Sequence, residues 1–171
     1  MKLTLPDSKY KDSYLNALKE YKDEDREHYR SINQNEIEND FSAFVEKIKS
    51  RSRGENLFKG YISATEYWLI DNNAFIGRLD IRHEMTEFLR KVGGHIGYDV
   101  RPSKRKTGYG YNILKLGLEK AKGLGLKKVL LTCDKDHIAS KKIIEKCGGI
   151  PAKKVSQDPG VEKLRYWISL E

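Results

Sequence analysis

The sequence predicts an α/β protein in which helices flank a mixed central β-sheet. Three observations predict this class. Apolar residues recur about every 3.6 positions in the first 50 residues, alternate every second position from about residue 60, and helical and strand patterns then follow one another to the end. The 171 residues contain no internal repeat, low-complexity tract or Pro/Gly/Ser-rich linker, so we expect one domain spanning residues 1–171.

Two amphipathic helices are expected in the first third of the chain. After a short apolar start at residues 2–5, Asp7 or Ser8 can cap the first helix. Its apolar stripe consists of Tyr10, Tyr14, Leu15, Leu18 and Tyr21. The second helix is predicted over residues 35–50, and its buried face consists of Ile37, Phe41, Phe44, Val45 and Ile48.

Three strands are expected next. Aromatic and β-branched residues alternate over residues 61–70 and 74–82, and the turn-forming residues 71–73 separate the two runs. This pattern predicts a β-hairpin. A third strand is predicted over residues 95–100, and it ends before Pro102 because proline cannot donate to the ladder.

Helix and strand patterns alternate in the second half. The apolar spacing predicts a helix over residues 109–122, a buried strand over 129–133 and a helix over 137–146. Two final strands are expected over residues 150–157 and 163–170, paired through a turn at Asp158, Pro159 and Gly160.

The composition excludes several classes of protein. The longest apolar runs are far shorter than the roughly 20 residues that cross a bilayer, so no membrane partner is expected. Only two cysteines occur, Cys133 and Cys147, and there is neither a CxxC pair nor a histidine cluster. We therefore expect no disulfide framework, no metal site and a reducing, cytoplasmic location.

The chain is basic, and its positive charge is unevenly distributed. Lys and Arg total 33 against 25 for Asp and Glu, which gives a net charge of +8. Basic residues concentrate at positions 101–106, whereas residues 20–46 are rich in acidic side chains. An anionic partner is expected in the basic half of the chain.

A glycine-punctuated turn opens the helix predicted from residue 109. Gly108 and Gly110 let the backbone come close to a ligand, and the first N–H groups of the helix lie at its positive dipole end. Together with the Lys-Arg-Lys run at residues 104–106, these amides suit a diphosphate. The spacing matches neither a P-loop nor a Rossmann fingerprint. The alternative is a tight turn beside a solvated basic face.

The segment IGYDVRPSKRKTGYG, residues 96–110, resembles the strand-to-helix signature Gln/Arg-x-x-Gly-x-Gly/Ala of the GNAT N-acetyltransferases. Arg105, Gly108 and Gly110 occupy the three signature positions. Residues 129–140 and 145–149 are similar to the next strand and helix of that family. The resemblance covers about residues 60–170, and the first 59 residues match in element order only.

The resemblance implies the GNAT acyltransferase fold, in which the strands at residues 95–100 and 129–133 splay apart around the arm of acetyl-CoA. It implies direct transfer of an acetyl group from acetyl-CoA, as a cosubstrate, to a primary amine on a small molecule or peptide. The Val100 amide would polarise the thioester carbonyl. The implied cofactor-binding residues are Asp99, Val100, Arg101, Arg105, Lys106, Thr107, Gly108, Tyr109, Gly110, Asp134, His137 and Ser140.

The sequence leaves open which groups move protons. In the family a tyrosine often protonates the leaving thiolate, but this chain has Ile144 at that position. His137 either binds or titrates beside the cofactor arm, or only caps its own helix. Glu66 and Asp99 are the preferred bases. The other candidates are Asp80, Glu84 and His95.

Two other functions remain open. The missing tyrosine at position 144 favours a catalytically weak or inactive module that binds acetyl-CoA. A nucleic-acid binder is least favoured, because the first third of the chain is acidic and no reading helix is evident. The acceptor is expected between the first two helices, residues 83–94 and the final strands, and a homodimer stays open by analogy.

Overall fold

The computed structural model describes residues 1–24, 29, 32–152 and 163–171. Its strands are β1 (Lys2–Thr4), β2 (Ala64–Asp71), β3 (Ala74–Arg82), β4 (Ile96–Val100), β5 (Lys128–Asp134), β6 (Ile150–Pro151) and β7 (Lys163–Ser169). Its α-helices are α1 (Lys11–Asp23), α2 (Gln34–Asn39), α3 (Phe41–Ser50), α4 (Tyr109–Gly123) and α5 (Ile138–Lys146). None of these described helices has the length and apolarity needed to cross a membrane.

The described strands form two antiparallel sheets, ordered β1-β2-β3-β4 and β5-β7-β6. The α/β class with flanking helices is confirmed. The expected mixed sheet is wrong, because every pairing in the described part of the chain is antiparallel. The chain passes from β4 through α4 to β5, yet no hydrogen-bonded ladder joins these two strands, so the pairing that would have been parallel does not form.

The predicted hairpin is present as β2 and β3. Asn72 and Asn73 form its turn with φ angles of 47° and 60°, which is the left-handed geometry that suits a two-residue hairpin loop. The strand predicted over residues 150–157 begins as expected at Ile150. Residues 153–157 and the predicted turn at 158–160 lie outside the described residues.

The helix predicted over residues 35–50 is divided in two. Asp40 leaves the helical region with φ −140° and ψ 77°, and its side chain accepts a hydrogen bond from the Ala43 N–H at 2.9 Å. An aspartate at this position caps a new helix instead of continuing the old one. The apolar stripe runs across both helices and conceals the break in the sequence.

Two hydrophobic cores lie on opposite faces of the first sheet. On one face, Tyr14 of α1 stacks on Trp68 of β2 with a centroid distance of 4.8 Å. On the other face, α4 packs against β3. A Cβ atom at Gly117 would lie 2.3 Å from Leu79 Cδ1, so glycine is needed for this approach. The packing places the start of α4 beside the end of β4.

Candidate functional site

Strands β4 and β5 meet at one end only. The N–H of His95, just before β4, donates to the Leu130 oxygen at 2.7 Å, and the Leu130 N–H donates to His95 Nδ1 at 2.9 Å. A Cβ atom at Gly94 would lie 2.5 Å from the same Leu130 oxygen, so a side chain cannot fit there. His95, a candidate base in the sequence, thus closes one end of an opening between the strands.

Beyond this junction, the outer edge of β4 has no strand partner among the described residues. The Arg101 N–H donates to the Ile76 oxygen at 2.9 Å. In the β3–β4 register, the main-chain groups of Gly97 and Asp99 therefore also face β3. Because every second residue of an antiparallel strand faces its partner, the amides of Tyr98 and Val100 point the other way. They face the opening.

The edge of β5 is exposed to the same opening. The Leu170 N–H donates to the Lys127 oxygen at 2.9 Å, and this bond sets the alternation between β5 and β7. The main-chain groups of Thr132 and Asp134 therefore face β4. A ligand that carries amide groups of its own can bond to both edges. The splayed strands expected from the sequence are confirmed.

A phenol from β4 reaches α5 across this region. The Tyr98 hydroxyl lies 3.2 Å from Ser140 Oγ in the first turn of α5. Burial raises the pKa of Tyr98 to about 12, so the phenol is protonated at neutral pH and can donate a hydrogen bond. Sequence reasoning selected Ser140 but missed Tyr98, because alternation along a strand indicates a face and not a contact.

The loop between β4 and α4 ends in a set of unpaired N–H groups. Gly108 has a φ of 91°, which favours glycine, and directly precedes α4. In the described part of the chain, the N–H groups of residues 106–110 have no acceptor, and residues 106–108 are exposed. Exposed lysines at positions 104 and 106 lie beside them. These groups fit an anion such as a diphosphate.

Two loop arginines turn toward α1. Arg101 pairs with Glu20, and Arg105 pairs with Glu24 at 2.7 Å. Arg105 Nε also donates to the Val100 oxygen at 2.9 Å. The guanidinium groups hold the loop to α1 and to β4, so their charges are already matched by carboxylates. Sequence reasoning missed Glu20 and Glu24, whose only signal was the acidic character of residues 20–46.

The other glycine of the turn lies against α5. A Cβ atom at Gly110 would lie 2.7 Å from Ile143 Cδ1, the movable end of that side chain, so a larger residue here would require Ile143 to shift. The Tyr109 hydroxyl donates to Asp71 at 2.7 Å and turns toward the end of β2. The Tyr109 side chain thus points away from the loop, and in the described part of the chain the N–H groups of residues 109 and 110 have no acceptor.

Residues 15–150 match the family described as the acetyltransferase (GNAT) domain. The chain belongs to this family. The matched range includes β4, the loop with its unpaired amides, and α5, so the acetyltransferase assignment covers the whole opening. No curated protein matches the chain in sequence.

Solved GNAT acetyltransferases share the fold at low sequence identity. RimL, a ribosomal-protein alpha-N-acetyltransferase in complex with coenzyme A, is 16% identical with a TM-score of 0.68 over 98% of this chain and 92% of its own. MccE, a microcin self-immunity acetyltransferase with acetyl-CoA and AMP, is 16% identical with a TM-score of 0.66 over 98% and 91%. A spermidine N-acetyltransferase chimera of SpeG from Vibrio cholerae and hSSAT is 13% identical with a TM-score of 0.62 over 99% and 97%.

Of the two preferred bases of this GNAT chain, Asp99 lies on a strand that borders the opening. Its carboxylate is 3.7 Å from Arg105 Nη2. Glu66 lies on β2, in register with Asp80 on β3 and Gly97 on β4. It is about 10 Å from β4 at the usual strand spacing. The structure does not bring Glu66 to the opening.

Glu66 instead belongs to a buried ionic cluster. Its carboxylate accepts a hydrogen bond from Trp68 Nε1 at 2.9 Å and lies 3.4 Å from both Arg51 Nη1 and Arg78 Nη1. Burial and the neighbouring Asp80 carboxylate raise the pKa of Glu66. Asp80 lies 3.0 Å from Arg78 Nη1 and 3.5 Å from Arg51 Nη1, so the two carboxylates share the two arginines in a cluster that holds Glu66 away from the opening.

The remaining candidates have local roles in the GNAT fold. His137 Nδ1 accepts the Ser140 N–H at 3.2 Å and caps α5, as the capping alternative proposed. The Asp134 carboxylate pairs with Lys163 at 2.5 Å. Glu84 lines a surface pocket of about 290 Å³ that also contacts His95, at the closed end of the opening.

Proposed function

We propose that this GNAT protein transfers the acetyl group of acetyl-CoA to a primary amine, and that the amine attacks the thioester carbonyl directly. One observation carries the proposal: among the described residues, the main-chain N–H groups of residues 106–110 have no acceptor, and the facing edges of β4 and β5 have no ladder partner. The first set suits a diphosphate, and the second suits an arm with amide groups. Neighbours solved with coenzyme A and acetyl-CoA support the same ligand.

The loop and the edges would bind different parts of acetyl-CoA. The N–H groups of Lys106, Thr107, Gly108, Tyr109 and Gly110 would hold the diphosphate, with the exposed lysines at 104 and 106 adding positive charge. Arg101 and Arg105 would contribute by holding the loop. The main chains of Asp134 and of the β4 edge would bond to the arm, while Ser140 and His137 would border it at the start of α5.

The Val100 N–H is the donor placed for catalysis in this proposal. Bound acetyl-CoA supplies an activated thioester. A fixed N–H aimed at the oxygen of its carbonyl stabilises negative charge that develops there, and such a donor contributes about 3 kcal/mol to lowering a barrier. Val100 is suited to this work because its N–H is not used by the β3–β4 ladder, so it needs no rearrangement.

Protons would be handled on both sides of β4. Asp99 is the base that the structure favours, since it lies on the strand bordering the opening, whereas Glu66 would act only through intervening water. Tyr98, bonded to Ser140, is a donor for the leaving thiolate in a chain where position 144 is an isoleucine. His137 would contribute by capping α5, since its Nδ1 accepts the Ser140 N–H at 3.2 Å.

The acceptor class is an amine on a small molecule or a peptide. Among the neighbours, RimL acts on a ribosomal protein and SpeG on spermidine, so the fold serves both kinds of acceptor. We also propose a single catalytic domain over residues 1–171 and a cytoplasmic location, which the unpaired Cys133 and Cys147 support. We further propose a homodimer, and analytical ultracentrifugation of the purified protein tests it by measuring the mass of the species in solution.

Two assays test the proposal. Calorimetric titration with coenzyme A should give saturable binding, and acetyl-CoA with a panel of amines, including spermidine and a peptide with a free N-terminal serine, should release free thiol. Absence of binding at millimolar coenzyme A would remove the cofactor assignment. The isoleucine at position 144 favours one second candidate, a module that binds acetyl-CoA without turnover, and binding without thiol release from any amine would support it.

A further inference from the structure

Glu20, near the end of α1, accepts four hydrogen bonds from the loop that follows β4. Oε1 accepts from Arg101 Nε at 3.0 Å, from Arg101 Nη2 and from Ser103 Oγ at 2.9 Å, and Oε2 accepts from the Ser103 N–H at 3.0 Å. Burial by itself would raise the pKa of Glu20, but these hydrogen bonds outweigh it and lower the pKa. Glu20 is therefore a charged anchor at physiological pH.

The position of Glu20 on its helix is unfavourable without the loop. The C-terminal end of a helix carries the negative end of its dipole, which disfavours a carboxylate. Glu24 follows one turn later and pairs with Arg105 at 2.7 Å. Two carboxylates at the wrong end of α1 indicate that the loop contacts, and not the helix, account for these residues.

Further bonds extend from the anchored segment to the unpaired amides. Pro102–Lys104 forms a 3₁₀ turn around Ser103. The Pro102 oxygen accepts the Arg105 N–H at 3.2 Å, and the Lys104 oxygen accepts the Thr107 hydroxyl at 2.7 Å. The positions of the N–H groups from residue 106 onward therefore depend on a turn that Glu20 holds.

The backbone of this loop requires such a restraint. Lys106 has a φ of 62°, a left-handed conformation that a residue with a side chain adopts at a cost. Conformations of this kind persist where the surrounding contacts hold them in place, and they concentrate at ligand sites. Without the anchor at Ser103, we expect the loop to relax and its N–H groups to lose their common direction.

We propose that Glu20 is a positioning residue for the diphosphate of acetyl-CoA. This inference rests on the function proposed above. Glu20 does not touch the ligand; it acts through Arg101 and Ser103 to keep the N–H groups of residues 106–110 converging on one anion.

Positioning and simple electrostatics predict opposite changes in coenzyme A affinity when Glu20 loses its charge. A carboxylate near an anion site repels the anion, so charge alone predicts that Glu20→Gln tightens the binding of coenzyme A. Positioning predicts that the same change weakens it, because the glutamine amide replaces an acceptor oxygen and loses the charged bonds to Arg101. The direction of the effect therefore separates the two accounts.

The experiment compares Glu20→Gln with Glu119→Gln, a matched control at an exposed carboxylate of α4. Calorimetry with coenzyme A should show about tenfold weaker binding for Glu20→Gln, the size expected from losing hydrogen bonds to a charged group. In steady-state assays the KM for acetyl-CoA should rise similarly while kcat changes less than about twofold, since the reacting groups on β4 are untouched. The control should behave as the wild type.

Hydrogen exchange of the ligand-free proteins gives a readout that needs no cofactor. Amides of residues 103–110 should exchange faster in Glu20→Gln than in the wild type, while those of α5 should not change. If Glu20→Gln does not fold, Arg101→Lys replaces it, because a lysine keeps the charge but loses the two-pronged contact, and the same weakening is expected.

The binding measurements test the role of Glu20 separately from the proposed function. Glu20→Gln or Arg101→Lys that binds coenzyme A as tightly as the wild type, or more tightly, overturns the positioning role and leaves the proposed function intact. A wild type that binds neither coenzyme A nor inorganic pyrophosphate overturns the proposed function, and the role of Glu20 falls with it.

Discussion

The two ends of the opening between β4 and β5 satisfy their main-chain groups in opposite ways. At the closed end, the His95 ring accepts a strand N–H that a carbonyl oxygen would normally accept, so the edges are paired. At the open end, the Val100 and Asp134 amides point away from the neighbouring strands of their own sheets, and no ladder joins β4 to β5. Because an unpaired amide costs free energy unless water or a ligand bonds to it, the open end is where a ligand gains most.

Glycine serves different purposes at the two ends. At the closed end, a Cβ atom at Gly94 would come within 2.5 Å of a backbone oxygen, so the residue permits close packing. At the open end, a Cβ atom at Gly108 would meet nothing closer than 4.0 Å, so its left-handed φ and an accessible backbone are what matter. Gly94 is therefore needed for packing between the strands, whereas the open space at Gly108 leaves room for a ligand next to the backbone.

Of the substitutions considered, Gly108→Asp should weaken the binding of coenzyme A at the open end the most. The aspartate is strained at φ 91° and places a negative charge where a diphosphate is expected. We expect coenzyme A to bind about a hundredfold more weakly, from strain and repulsion together. Gly125→Asp is the matched control, since Gly125 has φ 85° and open space around its Cβ position. Equal calorimetric affinities of the two variants would contradict the assignment of the loop.

Val100→Pro removes one N–H from the open edge of β4. This N–H is outside the β3–β4 ladder, so the sheet tolerates its loss. If the Val100 N–H supports the reaction, kcat should fall about a hundredfold. Val100→Thr keeps the N–H and the side-chain shape and should retain most of the activity. A Val100→Pro enzyme that is folded by circular dichroism and turns over normally would exclude this donor.

Tyr98→Phe tests the phenol that reaches α5. Removing the hydroxyl deletes the 3.2 Å contact with Ser140 and leaves water as the donor to the leaving thiolate. We expect kcat to fall about tenfold, less than the roughly hundredfold usually lost with a positioned proton donor, because water can replace the phenol; the KM for acetyl-CoA should change little. Tyr166→Phe, which loses a hydroxyl bonded to Glu145 at 3.2 Å, is the control. Matching pH–rate profiles for the two variants would leave Tyr98 with a packing role only.

His95→Asn probes the closed end and should have the smallest effect. Burial and the charges of Arg90 and Arg82 lower the pKa of His95, so the unfolded chain takes up a proton before the folded chain does. The wild type should therefore lose stability as the pH falls below about 6.5 and through the lower pKa of the folded state. An asparagine oxygen can accept the Leu130 N–H without titrating.

Urea unfolding at pH 7.5 and pH 5.0 measures this effect. The advantage of the wild type over His95→Asn should shrink at the lower pH, because the pKa of His95 is lowered in the folded state and the asparagine does not titrate. A constant difference between the two proteins would mean that the His95 ring does not close the opening in its neutral form.

Local patterns predicted the elements well because local interactions determine them. The hairpin followed from period-two alternation and its Asn-Asn turn, and the start of α4 followed from Gly108. The helix over residues 35–50 failed as a single element because the capping bond of Asp40 interrupts it while the apolar stripe continues. A cap and a helical interior differ by one side-chain bond, which apolar spacing does not record.

The contacts that shape the site were beyond sequence reasoning. Glu20 and Arg101 are separated by 81 positions, and each looks like an ordinary surface charge. Glu66 and Asp99 both looked like strand carboxylates, but β3 lies between their strands, so only Asp99 borders the opening. Neither the contact between Glu20 and Arg101 nor the separation of Glu66 from the opening can be predicted from neighbouring residues in the sequence.

The order of helices and strands, the glycine turn and the basic character of the loop follow from the amino-acid sequence, because propensity, capping and apolar spacing act over a few neighbouring residues. The divergence of β4 from β5, the pairing of loop arginines with α1 and the burial of Glu66 were decided by tertiary structure. These features depend on hydrogen bonds and charges between distant segments, and which of them meet is set only when the two hydrophobic cores pack around the sheet.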